Sequence, residues 1–179
     1  MYSFIVAFLI TAIVGLFIIR HTHLHSHFSG DFQPGPQKMH VGVIPRIGGV
    51  AIYCGLIAAV LVLGMQFGFR QAKLPLILFA ISLPAFLSGL AEDLLKMIPP
   101  WVRLLCALFA AGLGYFILHA QIERLGIGAL TELVRYWPIG LFITVVAVAG
   151  LTHAVNIIDG FNGLSAGVCL LALFAISYV

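Results

Sequence analysis

Six long runs of residues without a charged side chain dominate the sequence. A helix that crosses the hydrocarbon core of a bilayer needs about 20 mainly apolar residues, and each run is close to that length. Because 62% of the 179 residues are hydrophobic and only 8% are charged, the composition excludes a soluble globular domain and indicates an integral membrane protein. The candidate spans are residues 1–19, 47–69, 74–91, 104–122, 136–158 and 161–179.

These runs predict an all-α fold, a polytopic transmembrane helical bundle with about six spans that forms a single domain over residues 1–179. The sixth run has no polar flank after it, so we expect this to be the N-terminal part of a longer bundle. The net charge of +3 is small and spread out, which argues against a nucleic-acid partner. Glycine-rich spans pack equally well within and between chains, so a homodimer stays open.

The order of the spans predicts which linkers share a membrane face. If every run crosses, the linkers 20–46 and 92–103 and the turn at residue 159 lie on one face. That face carries five of the nine Lys and Arg residues, which is too weak a bias to orient the protein. The linker 121–136 lies on the opposite face, and we predict a small exposed loop there without a chemical role. Four of the six acidic residues fall on the first face: Asp31, Glu92, Asp93 and Asp159.

Asp159 is the only charged residue after Arg135, and it lies in a short polar turn between two apolar runs. An ionisable group at the edge of a bilayer is by default a candidate functional residue, and Gly160 beside it lets the backbone approach a ligand. The alternative is that Asp159 or Asn162 caps the following helix. Asn156, just before the turn, either bonds a neighbouring helix or reaches the site.

Glu92 and Asp93 are adjacent carboxylates at the end of the third run. There they oppose the helix macrodipole and repel each other, an arrangement that becomes favourable when a cation sits between them. Mg²⁺ takes few protein oxygens and keeps substrate phosphates as its other ligands, so we favour a metal site over the alternative of a solvated acidic pair. Arg103 can meet either carboxylate across the short loop, in a structural role or as part of the site.

Three cationic or titratable side chains precede the second run, namely Lys38, His40 and Arg46. They either hold phosphate groups or anchor the chain at the membrane interface. Gly48 and Gly49, at the start of the run, allow close approach of an anion to a helix N-terminus or tight packing of helices in lipid.

Three stretches, separated by pairs of spans, together resemble the polyprenyl-phosphate N-acetylhexosamine-1-phosphate transferase family. They are residues 35–49 (with Gly-Pro-Gln-Lys-Met-His and Ile-Pro-Arg-Ile-Gly-Gly), 89–93 (Gly-Leu-Ala-Glu-Asp) and 156–164 (Asn-Ile-Ile-Asp-Gly-Phe-Asn-Gly-Leu). The Pro-Arg-Ile-Gly-Gly stretch is similar to the WecA-like rather than the MraY-like branch. Glu92 and Asn162 stand where many members have Asp.

The resemblance implies an enzyme that moves N-acetylhexosamine 1-phosphate from a UDP-sugar to polyprenyl phosphate and releases UMP, as the first membrane step of cell-surface glycan synthesis. It implies a Mg²⁺ (or Mn²⁺) cofactor, a multi-pass position in the inner membrane and a cytoplasmic motif face. The catalytic residues would be Glu92, Asp93 and Asp159, with the metal held by Glu92 and Asp93. The substrate-binding residues would be Lys38, His40, Arg46, Asn156, Gly160, Phe161 and Asn162.

Two alternatives remain. One is the phospho-MurNAc-pentapeptide transferase of the same family, against which the Pro-Arg-Ile-Gly-Gly stretch argues. The other is a protein that is not an enzyme, either a truncated inactive membrane protein or a transporter whose acidic groups couple to cations.

Overall fold

The computed structural model describes residues 2–23, 45–158 and 163–178, and the regular elements in these ranges are seven α-helices. Helices are expected because a chain in lipid must satisfy its backbone hydrogen bonds internally. The helices are α1 (Tyr2–Arg20), α2 (Gly48–Phe67), α3 (Phe69–Leu95), α4 (Pro100–Leu118), α5 (Gly128–Arg135), α6 (Trp137–Ile158) and α7 (Leu164–Tyr178).

Five of the described helices, α1 to α4 and α6, are long and apolar enough to cross a membrane. The sixth predicted span contains α7, an apolar helix of 15 residues, while residues 161, 162 and 179 lie outside the described ranges. The prediction of an all-α, polytopic membrane fold is therefore confirmed.

The structure differs from the sequence prediction in the stretch between α4 and α6. Helix α4 ends before the apolar run does, because His119 has a φ of 52°, a left-handed conformation that cannot continue a helix. The linker predicted as a small exposed loop contains α5, so the prediction of a loop was wrong, although most of the linker residues are exposed as predicted. Val134, near the end of this short helix, is buried.

Mutual contacts divide the chain into two compact units. The described part of the first unit comprises residues 2–23 and 45–106, with α1 to α3 and the beginning of α4. The described part of the second comprises residues 107–158 and 163–178, with the rest of α4 and α5 to α7. A single domain over residues 1–179 stays a prediction.

Helices α1 and α2 of the first unit pack closely through a glycine. A Cβ added at Gly55 would clash with Oγ1 of Thr11 and would lie 2.7 Å from the carbonyl oxygen of Ala7. Small residues at such contacts let helix backbones approach in lipid, where there is no hydrophobic force to drive association.

Helices α2 and α3 are joined by Gly68 alone, whose φ of 84° suits glycine. Near this turn Gly64 faces the buried Ala72, and a Cβ on Gly64 would be 3.4 Å from the Cβ of Ala72. The two helices thus form a hairpin that carries the chain from Arg46, just before α2, to Glu92 in the last turn of α3.

In the second unit, the linker between α4 and α6 is fixed to α6. The amide of Ile122 donates to Oγ1 of the buried Thr144 at 3.0 Å. A Cβ on Gly140 would be 2.6 Å from the carbonyl oxygen of Val134, so the end of α5 rests against the first turn of α6. These contacts explain why α5 forms where the sequence alone indicates a loop.

Candidate functional site

Glu92 and Asp93 lie in the last turn of α3, as the sequence predicted. The helix ends because Lys96 adopts a left-handed conformation, with a φ of 56°, and its amide donates to the carbonyl oxygen of Glu92 at 2.8 Å. Pro100 then begins α4, where a proline without an amide hydrogen is well tolerated. The short connection brings the first turn of α4 next to the last turn of α3.

Arg103 on α4 forms an ion pair with Glu92 on α3. Its Nη1 donates to Oε2 of the carboxylate, and the two side chains are only 18% and 26% exposed. The predicted contact of Arg103 with one of the two carboxylates is thus confirmed, and Glu92 is the one. Because both partners are charged and shielded from solvent, this pair is stronger than one on an open surface.

Asp93 is half-buried and lies in the field of three neighbouring charges. Arg46 and Arg103 attract its carboxylate, and Glu92 repels it. Within the described ranges Asp93 makes no hydrogen bond or close ion pair. Glu92, Asp93 and Arg103, which we call the acidic corner, therefore hold one carboxylate engaged by an arginine and one that makes no hydrogen bond to a described residue.

This donor set fits a divalent cation that also takes ligands from a substrate. The described ranges contain no group of three or more His, Cys, Asp or Glu side chains arranged to hold a metal, so a cage built from protein alone is not seen in them. Mg²⁺ commonly binds through one or two carboxylates together with phosphates and water. The Asp93 carboxylate makes no hydrogen bond to the described residues, whereas one oxygen of Glu92 already accepts from Arg103.

The other predicted site residues fall into two groups. Arg46, half-buried just before α2, belongs to the same unit as the acidic corner, while Asn156 is exposed in the last turn of α6, in the second unit. The remaining predicted residues lie outside the described ranges: Lys38, His40, Asp159, Gly160, Phe161 and Asn162.

Arg103 is the residue whose role the sequence left undecided. The signal in the sequence for its contact was its short distance along the chain from Glu92 and Asp93. A connection of only a few residues between two helices brings the start of the second helix beside the end of the first. Which of the two adjacent acids it would meet depends on the left-handed Lys96, because that conformation sets the direction in which the chain leaves α3. A non-glycine residue in that conformation is uncommon and hard to foresee.

Comparisons with known proteins give relatives along most of the chain. The sequence profile of glycosyl transferase family 4 matches residues 74–179. The chain is 28% identical to a probable undecaprenyl-phosphate N-acetylglucosaminyl 1-phosphate transferase of Bacillus subtilis, over 81% of this chain and 39% of the relative. It is also 28% identical to undecaprenyl-phosphate alpha-N-acetylglucosaminyl 1-phosphate transferase of Thermotoga maritima, over 95% of this chain and 48% of the relative.

The corresponding enzyme of Escherichia coli is 26% identical over 82% of this chain and 38% of its own length. The chain thus spans less than half the length of these three relatives. No solved structure matches it. The family profile covers more than half of the 179 residues, including the whole acidic corner. The chain belongs to glycosyl transferase family 4.

Proposed function

We propose that this chain contributes to an enzyme that transfers N-acetylhexosamine 1-phosphate from a UDP-sugar to polyprenyl phosphate. The bond between the sugar-linked phosphorus and UMP breaks, a new bond forms between that phosphorus and the lipid phosphate, and UMP leaves. The observation that supports the proposal is the acidic corner, in which Asp93 follows Glu92 of the Glu92–Arg103 pair at the end of a helix long and apolar enough to span a membrane.

The position of the acidic corner suits the two substrates. A lipid acceptor confines the reaction to the bilayer edge, and the last turn of a spanning helix lies at that edge. Both substrates are anionic, so positive charge is needed to offset their repulsion, and Arg46 and Arg103 supply it beside Asp93. Arginine is suited to phosphate because its planar fork donates two parallel hydrogen bonds.

Mg²⁺ or Mn²⁺, when bound, would offset the negative charge that develops on the phosphoryl group and on the leaving UMP. Asp93 would hold the cation, and Glu92 would stay beside it in its ion pair with Arg103. Arg46 would contact a phosphate of one substrate. Asp93 is also a candidate to activate the lipid phosphate, as nucleophile or as base.

Further residues join the proposal on the strength of the sequence resemblance alone. Asp159 would complete the acidic group of the site, and Gly160 would let the backbone approach the nucleotide. The remaining substrate contacts would come from Lys38, His40, Asn156, Phe161 and Asn162.

The proposal also covers the substrate and the location. The relatives are named for N-acetylglucosaminyl 1-phosphate transfer, which favours UDP-GlcNAc over UDP-MurNAc-pentapeptide as the donor. The protein would be a multi-pass protein of the bacterial inner membrane, as a monomer or homodimer, with its motif linkers in the cytoplasm because UDP-sugars are made there.

Release of UMP from the full-length protein in membranes tests the proposal. We expect UMP only when UDP-GlcNAc, undecaprenyl phosphate and Mg²⁺ are all present, and we expect a chelator to stop it. Asp93→Asn should lower the rate of UMP release at least a hundredfold without lowering the amount of folded protein.

Arg135→Gln is the matched control, because Arg135 pairs with Glu132 on an exposed surface outside the acidic corner. A wild-type protein that releases no UMP under these conditions would refute the proposed reaction. Preferential use of UDP-MurNAc-pentapeptide would instead assign the protein to the MraY-like branch.

A further inference from the structure

We infer that Arg103 is a positioning residue that withholds Glu92 from the cation, so that Asp93 alone of the two adjacent carboxylates serves as a metal ligand. This deepens the proposed function, on which it rests for the identity of the reaction. It departs from the sequence prediction, in which both Glu92 and Asp93 hold the metal.

The burial of the Glu92–Arg103 pair is the first support. Both side chains are less than one third exposed, whereas the other described ion pair, between Glu132 and Arg135, is 68% and 65% exposed. A shielded guanidinium that lost its carboxylate would be left as an uncompensated charge. The pair therefore resists being opened by an incoming cation, which would have to displace Arg103 to reach Oε2 of Glu92.

The direction of the two side chains is the second support. Successive residues on an α-helix point about 100° apart, so Glu92 and Asp93 leave the helix in different directions. Glu92 faces Arg103, and Asp93 makes no hydrogen bond within the described ranges. The structure therefore separates the two carboxylates by their partners as well as by their direction.

The charge balance is the third support. Two adjacent carboxylates without a partner would repel each other, and Arg103 compensates Glu92 while also attracting Asp93. The positive charge of Arg103 therefore offsets the charge of both carboxylates, but only Glu92 uses an oxygen to accept a hydrogen bond from it. The oxygens of Asp93, which accept from no described residue, remain for a cation that brings its own phosphate and water ligands.

Binding of Mn²⁺ alone to the purified full-length protein in nanodiscs, followed by electron paramagnetic resonance, tests this inference without any turnover. Asp93→Asn should weaken Mn²⁺ binding at least tenfold, and Glu92→Gln should change it less than threefold. Arg103→Gln should strengthen binding three- to tenfold, because it frees Glu92 as a second ligand and removes a positive charge. The gain should fall below twofold in the double variant Glu92→Gln/Arg103→Gln.

A purely structural role of Arg103 predicts the opposite sign, since a loosened corner would bind the ion less well. The inference is overturned if Glu92→Gln weakens binding as much as Asp93→Asn does, a comparison that needs no change at Arg103. It is also overturned if Arg103→Gln leaves the affinity unchanged or lowers it, or if the wild-type protein binds no Mn²⁺. Arg135→Gln, at the exposed pair, should leave the affinity unaltered.

The same variants in the UMP-release assay separate this inference from the proposed function. Arg103→Gln should lower kcat more than it raises KM for UDP-GlcNAc, and Arg103→Lys should restore part of the loss because it keeps the charge. If no variant and no wild-type protein releases UMP, the proposed reaction fails, while the Mn²⁺ affinities still decide which carboxylate binds the metal.

Discussion

The hydroxyl of Tyr53 on α2 lies 2.5 Å from Oγ of Ser82 on α3. The carbonyl oxygen of Phe79 lies within reach of both, 2.9 Å from Ser82 and 3.5 Å from Tyr53, so either hydroxyl can be the donor between the two. Phe86 stacks on the tyrosine ring with centroids 3.6 Å apart. Lipid offers these hydroxyls no partner, and the contact therefore fixes α2 against the helix that carries the acidic corner.

Tyr53→Phe should lower the free energy of unfolding by about 0.6 to 1 kcal/mol, because it removes one interhelical hydrogen bond and keeps the stacked ring. Denaturation of the micelle-embedded protein with SDS measures this. Ser82→Ala is the partner variant, and the double variant should cost less than the sum of the two single changes. Strict additivity would show that the two hydroxyls do not stabilise the fold through each other.

Gly55→Val should disrupt the packing of α1 on α2. Its Cβ would lie 2.7 Å from a backbone oxygen, that of Ala7, which cannot move away without shifting α1. Overpacking of this kind costs about 1–3 kcal/mol, and we expect the upper end or loss of folded protein. Size-exclusion profiles and SDS denaturation measure the effect.

The matched control for this substitution is Gly112→Ala on α4, where nothing lies within 4 Å of an added Cβ. It should leave stability equal or slightly higher, since alanine is the better helix former. Thr11→Ala in the Gly55→Val background should give only partial rescue, because the Ala7 oxygen remains. Full stability of Gly55→Val would contradict the close approach of α1 and α2.

The membrane-spanning helices and the site carboxylates differ in how far the sequence determines them. Helices α1 to α4 and α6 follow from apolar length alone, since lipid leaves a backbone no other way to satisfy its hydrogen bonds. The placement of Glu92 and Asp93 at a helix end follows from the same runs. Their different partners do not, because the choice depends on the left-handed Lys96 and on the direction of α4.

Helix α5 was not predicted from the sequence, for a different reason. Its apolar residues Leu130, Leu133 and Val134 do have the spacing of one helical face, but a helix of eight residues has little stability without tertiary contacts. The approach of Val134 to Gly140 on α6 is such a contact, and the local sequence does not reveal it.

Gly140→Ala should detach α5 from α6. The added Cβ would lie 2.6 Å from the carbonyl oxygen of Val134, which belongs to the backbone of α5. Because α5 is short and has little stability of its own, we expect it to unfold locally while the spanning helices remain. Hydrogen exchange over residues 121–136 should become faster by about tenfold or more, which corresponds to about 1.4 kcal/mol.

Gly128→Ala is the control, because nothing lies within 4 Å of a Cβ there. It should leave the exchange rates of the linker unchanged or lower them. Unaltered exchange in Gly140→Ala would mean that α5 does not depend on its contact with α6.

Arg46→Gln should weaken the use of an anionic substrate more than it slows the chemistry. The guanidinium acts on Asp93 and lies just before α2, in the same unit as the acidic corner, and a charged hydrogen bond to phosphate contributes about 1.5–3 kcal/mol. KM for UDP-GlcNAc or for polyprenyl phosphate should therefore rise about tenfold or more, with a smaller fall in kcat. Initial rates of UMP release, measured at varied concentrations of each substrate, show which of the two substrates is contacted by Arg46.

Arg46→Lys should recover part of the loss, since it keeps the charge without the planar fork, and Arg135→Gln should behave as the wild type. If both KM values stay unchanged in Arg46→Gln, the arginine serves the fold of the first unit and contacts neither phosphate.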